Sequence, residues 1–211
     1  MYLSRVQIDT DNRRKIRNLT HLGAYHDWVE RSFPSEIAKE ERTRKLWRID
    51  HLHGKEYLLI VSKEKPALAE FCHYGVEGSA ASKDYDILLE KLKVGMKCRF
   101  RVVLNPVVAV SAGLGKRGRI MPHVTVQQQM DYLKARAESQ GFSLTDGGYD
   151  ITERDYAVWR KGNKRIRLSR VAYEGVLAIT DIELFHRLLT EGMGKKKAYG
   201  FGMMTVIPVE A

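Results

Sequence analysis

Residues Tyr156-Ala157-Val158-Trp159-Arg160-Lys161-Gly162-Asn163-Lys164-Arg165-Ile166-Arg167-Leu168 decide the fold. Gly162-Asn163 is a turn signal between two runs rich in β-branched and aromatic residues, so two long strands are expected, around Tyr156 to Arg160 and Arg165 to Leu177. A helix signal stands on either side. Thr125 and Gln128 have capping-box spacing ahead of a run that buries Val126, Met130, Leu133 and Ala137 and stops at Gly141. Thr180 and Glu183 have the same spacing ahead of Ile182, Phe185, Leu188 and Leu189. Arg99 to Leu104 reads as a strand halted near Pro106 and resumed by Val107 to Val110, and Met203 to Ile207 as the last strand. The order is β-α-β-β-α-β.

The first half repeats that order with weaker marks. Tyr2 to Ile8 reads as a half-buried strand, and Leu22, Tyr25, Val29 and Phe33 recur at helical spacing. Leu46 to Ile49 and Tyr57 to Val61 flank a turn at His53-Gly54-Lys55. Pro66 is expected to open a short helix with Leu68, Phe71 and Cys72 on one face and Gly75 at its end. The fourth strand falls somewhere between Gly75 and Leu92. The pattern predicts an α+β protein of two tandem ferredoxin-like (RRM-like, βαββαβ) domains, residues 1–94 and 95–211. The halves share no obvious sequence repeat.

The chain has 211 residues, with 36 Lys plus Arg against 26 Asp plus Glu, a net charge of +10. Such an excess favours a polyanionic partner, and its placement is informative. Gly192-Met193-Gly194-Lys195-Lys196-Lys197-Ala198-Tyr199-Gly200-Phe201-Gly202 brackets three lysines with glycine pairs. Helix capping explains one glycine at each end; four of them, Gly192, Gly194, Gly200 and Gly202, suit a backbone anion site reinforced by Lys195, Lys196 and Lys197. The long hairpin carries Arg160, Lys161, Lys164, Arg165, Arg167 and Arg170, and alternation puts Arg165 and Arg167 opposite Ile166 and Leu168. Lys116, Arg117 and Arg119 form a third basic, glycine-associated segment. Together they predict phosphate-backbone contacts along a duplex; the plainer reading of the hairpin is a charged, protected edge.

Other chemistries fit poorly. The glycine loop follows a helix and precedes a strand, the reverse of a dinucleotide fingerprint, and no Gly-Lys here is followed by Ser or Thr as a Walker loop requires. His51 and His53 lack further metal ligands, and Asp84 and Asp86 are too few for a two-metal site; no metal or other cofactor is expected. Cys72 and Cys98 sit in apolar runs and read as free thiols of a cytoplasmic protein. No apolar run approaches membrane-spanning length, and the opening Met1-Tyr2-Leu3-Ser4-Arg5-Val6 reads as a strand, without a leader's apolar core.

With these residues in view, the chain resembles the CasE family of CRISPR-associated endoribonucleases nearly end to end. The resemblance rests on Met1 to Val6, the His26 region, Phe100-Arg101-Val102-Val103-Leu104-Asn105-Pro106, Gly115-Lys116-Arg117, Tyr173-Glu174-Gly175 and the closing glycine loop. It implies two ferredoxin-like domains and cleavage of CRISPR repeat hairpins in precursor crRNA without metal. In that reaction a 2′-hydroxyl attacks the adjacent phosphorus, leaving a 2′,3′-cyclic phosphate and a 5′-hydroxyl. It also implies retention on the mature crRNA beside the other protein subunits of Cascade, with no membrane partner.

The resemblance makes His26 the catalytic candidate among seven histidines, since an imidazole can take or give the proton near neutral pH. Some family members place a tyrosine three residues before this histidine, where Gly23 stands here. Tyr25 and Arg31 are the helper candidates, although the spacing of Tyr25 from Leu22 and Val29 also suits a partly buried core position. Two other functions stay open from the residues alone: a non-catalytic RNA-hairpin scaffold, and a small-molecule enzyme with an anion pocket at the glycine loop, which would show little salt dependence in RNA binding.

Overall fold

The computed structural model of the chain describes residues 1–111, 113, 118–162 and 164–209, the side chain of Lys161 excepted. The first half contains β1 (Tyr2–Gln7), α1 (Arg13–Ile16), α2 (Leu22–Arg31), α3 (Pro34–Ala38), β2 (Leu46–Leu52) and β3 (Lys55–Ser62). α4 (Leu68–Phe71), β4 (Ala81–Asp84) and α5 (Asp86–Lys91) follow. The second half runs β5 (Lys97–Leu104), β6 (Val107–Val110), β7 (Arg119–Pro122), α6 (Val126–Ala137), β8 (Phe142–Lys161), β9 (Lys164–Ile179), α7 (Ile182–Glu191) and β10 (Met204–Pro208).

Two antiparallel sheets result, in the orders β2-β3-β1-β4 and β10-β5-β9-β8. Each places its first and third main strands in the centre and its second and fourth at the edges, which is the βαββαβ ferredoxin-like topology in tandem. The Thr125–Gln128 capping box forms with both of its bonds. Thr180 does not cap α7. Asp181 does, accepting from the Leu184 N–H at 2.9 Å, because a carboxylate stands at the extended residue directly before the first turn.

Other expectations shift more. Pro66 precedes the α4 cap residue Ala67 and does not occupy the first turn, and Leu68 is exposed while Phe71 is buried. Val107–Val110 does not resume β5 but pairs with β7 in a separate two-stranded sheet. The fourth strand of the first half is only Ala81–Asp84, followed by α5, which the sequence pattern did not mark.

β5 pairs with β9 only over Val171–Ala178. Beyond that point β8 and β9 continue alone as a two-stranded arm, with Ala157 opposite Leu168 and Trp159 opposite Ile166. The arm leans back onto the first half: Ala157 and Leu168 are buried in one apolar cluster with Leu22, Trp28, Val29 and Trp47. A second cluster joins Leu46, Val61 and Tyr85 to Phe100, Val102 and Met204. Both cores are therefore shared between the halves.

One charged side chain crosses this junction. Arg48 on β2 is 2 % exposed and donates in five directions. Nε and Nη2 engage both oxygens of Asp50 at 2.6 and 2.7 Å, Nη1 reaches the Arg101 and Met203 carbonyls at 2.9 Å each, and Nη2 reaches Thr205 Oγ1 at 2.8 Å. Arg101 approaches Asp50 as well and also pairs with Glu153 and Glu174. Burial opposes ionisation of Asp50, but the bonds and charges of Arg48 and Arg101 prevail and hold it below the usual carboxylate range.

Removing one partner of a buried, hydrogen-bonded ion pair strands the other, so Arg48→Met is expected to lose about 3–5 kcal/mol in urea unfolding. The sign with pH follows from the depressed Asp50: its contribution is present above the unfolded-state value of about 3.9 and lost as pH falls through the folded value. Asp50→Asn should therefore flatten the acid limb of a stability–pH curve; an unchanged limb would contradict the assignment.

Candidate active site and RNA interface

His26 lies in the second turn of α2. The helix starts where His21 caps it, Nδ1 accepting from the Gly23 N–H at 3.0 Å. A Cβ on Gly23 would stand 2.8 Å from the His21 ring, which accounts for glycine at this position. Leu22, Trp28 and Val29 face inward and leave His26 half-buried on a flank of the helix.

That flank meets the glycine loop. The His26 ring lies 5.5 Å from the Tyr199 ring, and Tyr199 lies 4.9 Å from Trp159 on the arm. Lys196 Nζ stands 3.6 Å from the Trp159 centroid and 5.7 Å from that of Tyr199, a cation–π contact that joins loop to arm. One cluster thus draws its parts from α2, the glycine loop and the arm.

The loop is held from several sides. The Met193 N–H donates to the Gly202 carbonyl at 3.0 Å, the Gly202 N–H to the Val103 carbonyl at 2.8 Å, and Trp47 Nε1 to the Ala198 carbonyl at 3.0 Å. Gly192, Gly194, Lys196, Gly200 and Gly202 all have positive φ. At Gly200 an added Cβ would stand 2.7 Å from the Trp47 ring. Among the described residues, no protein acceptor takes the N–H of Gly194 or Lys195, so these donors stand available to an anion.

The three lysines differ. Lys195 is exposed, Lys196 lies against Trp159, and Lys197 turns inward to donate to the Gly192 carbonyl at 3.2 Å. Burial holds the Lys197 amine below its usual value, and the charge of Arg44 adds to the effect. Lys197 therefore braces the loop, and Arg44, which the sequence pattern did not single out, brings a first-half cation beside it.

On the arm, Arg160 pairs with Arg165 and Val158 with Arg167, so the three arginines share the face opposite Trp159 and Ile166. Arg160, Lys164 and Arg165 are exposed, and Arg167 lies 4.5 Å from the Tyr156 ring centroid. Arg170 is engaged by Asp155, its Nε at 2.7 Å from Oδ1. Arg119 stands exposed on β7. Lys116, Arg117 and the side chain of Lys161 lie outside the described residues.

Of the two helper candidates, Arg31 projects away from this cluster and Tyr25 packs into the apolar core that Trp159 and Tyr199 also border. Tyr25 stacks 6.1 Å from Trp47 and packs against the apolar core. Burial first, then Glu56, pushes its phenol up to about 12, against the pull of Arg170, so it stays protonated at neutral pH. Arg31 pairs with Asp27 at 2.9 Å and lines a depression with Trp28, Glu70, His73 and Tyr74. Five residues beyond His26, it projects about 140° away around the helix. Tyr199 takes the place beside the histidine, with Trp159 next to Tyr199. Their aromatic type was visible in the sequence, but the closeness of residues 26, 159 and 199 was not.

Comparison with known proteins identifies the family. The model of a family described as CRISPR associated protein matches residues 1–208. The chain belongs to that family. It is similar to the CRISPR-associated endoribonuclease Cse3 of Thermus thermophilus, with 27% identity over 220 residues that cover 99% of this chain and 100% of that protein. It is also similar to the CRISPR system Cascade subunit CasE of Escherichia coli, with 27% identity over 127 residues, 56% of this chain and 62% of the other. Among solved structures, Thermus thermophilus Cse3 bound to an RNA representing a pre-cleavage complex superposes with a TM-score of 0.81 at 23% identity, covering 98% of each chain. Escherichia coli Cas6e gives 0.69 at 20% identity, covering 99% of this chain and 100% of that one. These superpositions support the tandem fold of this family member.

The loop geometry separates binding from bracing. Gly200→Ala forces a non-glycine residue to φ +82° against Trp47 and should cost on the order of 1–3 kcal/mol. Lys195→Ala should weaken RNA binding with no change in Tm, whereas Lys197→Ala should lower both. Thermal melts beside filter binding of a hairpin RNA check this, and identical behaviour of the two lysine variants would refute it.

Proposed function

We propose that the chain is a metal-independent endoribonuclease that cuts CRISPR repeat hairpins in precursor crRNA and stays on the mature guide as a Cascade subunit in the cytoplasm. The observation that carries the reading is the meeting of His26, the glycine loop and the basic arm through Tyr199, Trp159 and Lys196. Membership of the CRISPR associated protein family and the endoribonuclease and Cascade-subunit names of two relatives support it.

The chemistry follows from the parts. The arm and loop cations hold the RNA backbone so that a scissile phosphate lies beside His26. The imidazole takes the proton of the 2′-hydroxyl or supplies one to the leaving 5′-oxygen, and water supplies or takes the other. The 2′-oxygen–phosphorus bond forms as the bond from phosphorus to the 5′-oxygen breaks, giving a 2′,3′-cyclic phosphate and a 5′-hydroxyl. Charge gathering on the phosphoryl oxygens is met by the Gly194 and Lys195 N–H groups, held in place by the loop's tethers, and by the exposed Lys195 cation. The Tyr199 ring packs beside the imidazole, 5.5 Å away.

The test compares wild type and His26→Ala on a labelled repeat hairpin in excess EDTA under single-turnover conditions. His26→Ala should slow cutting by about 10²–10⁴-fold with affinity unchanged. Undiminished cutting by the variant removes His26 from the mechanism. Binding by both proteins with cutting by neither would make the chain a hairpin-binding scaffold.

A further inference from the structure

α1 presents a basic surface that the site above does not use. Asn12 caps this helix, accepting from the Lys15 N–H at 3.1 Å. Lys15 turns inward, its Nζ 2.5 Å from the Gly75 carbonyl and 3.5 Å from Asp9, and Ile16 and Leu19 pack on the cluster that contains Trp28 and Val29. With its inner side fixed in this way, α1 holds Arg13, Arg14 and Arg17 outward and exposed. None of the three has an ion-pair partner among the described residues, whereas Arg31, Arg48, Arg101 and Lys45 all have carboxylates. Three like charges within five residues repel one another, so folding gains nothing from them; their electrostatic use is toward a polyanion.

Their position gives that polyanion a path. Gly75, which receives Lys15, follows Tyr74, whose ring packs edge-on at 5.3 Å from Trp28. Trp28 and His26 are two residues apart on α2 and project about 200° apart around it. α1 therefore borders the flank of α2 opposite the one that meets the glycine loop. A strand that leaves His26 and crosses the outer face of α2 passes Gly23 and Asp27, and Asp27 is neutralised by Arg31 at 2.9 Å.

We propose that Arg13, Arg14 and Arg17 bind phosphates of the single-stranded RNA segment on the far side of the scissile phosphate from the stem-loop. The assignment rests on the nuclease reading for the location of the cut. It gives the enzyme two grips, one on each side of His26: the arm and glycine loop on the hairpin, and α1 on the flanking strand.

The test uses two RNAs with a 2′-deoxy substitution at the attacking nucleotide, so that neither is cut: a repeat hairpin with a single-stranded tail past the cut, and the same hairpin ending at the cut. The triple variant Arg13→Ala/Arg14→Ala/Arg17→Ala should lose on the order of tenfold in affinity for the tailed RNA, and the slope of log K against log salt should fall by about 2 for three single-strand phosphate contacts. The trimmed RNA should bind as before, and a triple lysine variant, which keeps the charge, should bind the tailed RNA like wild type. Unchanged tail binding in the alanine variant, or equal loss on both RNAs, would overturn the proposal. Cutting of the all-ribose tailed RNA by wild type in EDTA is scored separately: its failure would sink the nuclease reading, while the binding comparison still decides whether α1 grips the tail.

Discussion

Arg48 is the constraint on which the rest of the molecule depends. A guanidinium at 2 % exposure is tolerable only when its donors are met, and its partners are a carboxylate on its own strand and backbone or hydroxyl oxygens on two strands of the other sheet. Carbonyls cannot be supplied by rearranged side chains, so the two sheets have one permitted relative placement. Apolar packing across the junction supplies most of the burial; Arg48 selects which packing.

That placement is what brings the site together. Trp47 is the neighbour of Arg48 on β2, and its indole N–H holds the glycine loop through the Ala198 carbonyl. The loop in turn brings Tyr199 to His26 and Lys196 to Trp159. Fixing the sheets therefore fixes the loop, and the loop fixes the environment of the histidine. The arm serves two purposes at once, because its alternating faces divide the work: Trp159, Ile166, Ala157 and Leu168 seat it on α2, and Arg160, Arg165 and Arg167 face away.

The legible part of the sequence was its local chemistry. Capping at Thr125, the turn before Lys164, the alternation in Arg165-Ile166-Arg167-Leu168 and the concentration of glycine around Lys195–Lys197 are all short-range patterns with one physical reading. Asp181 displaced Thr180 as a cap because two adjacent cap-forming residues compete, and the choice depends on backbone angles. β4 could be placed only to within Gly75 to Leu92, because it is a four-residue edge strand with little apolar content. The surroundings of His26 were beyond reach for a different reason: residues 26, 159 and 199 come together only after the sheets dock. Helical spacing did point to Tyr25 as a core residue, and its stacking on Trp47 agrees. Arg48 gave no signal, since an arginine within an apolar strand reads as the solvent-facing member of the alternation.

The two-sided construction of the arm bears on biosynthesis. α2 is made early, but the arm and glycine loop that complete its surroundings are encoded more than a hundred residues later. Contacts of such long range form slowly and only once the late segments are present. A chain still emerging from the ribosome carries its histidine and α1 without the arm and glycine loop that complete the site, and so stays inert toward transcripts in its vicinity until those later segments are made.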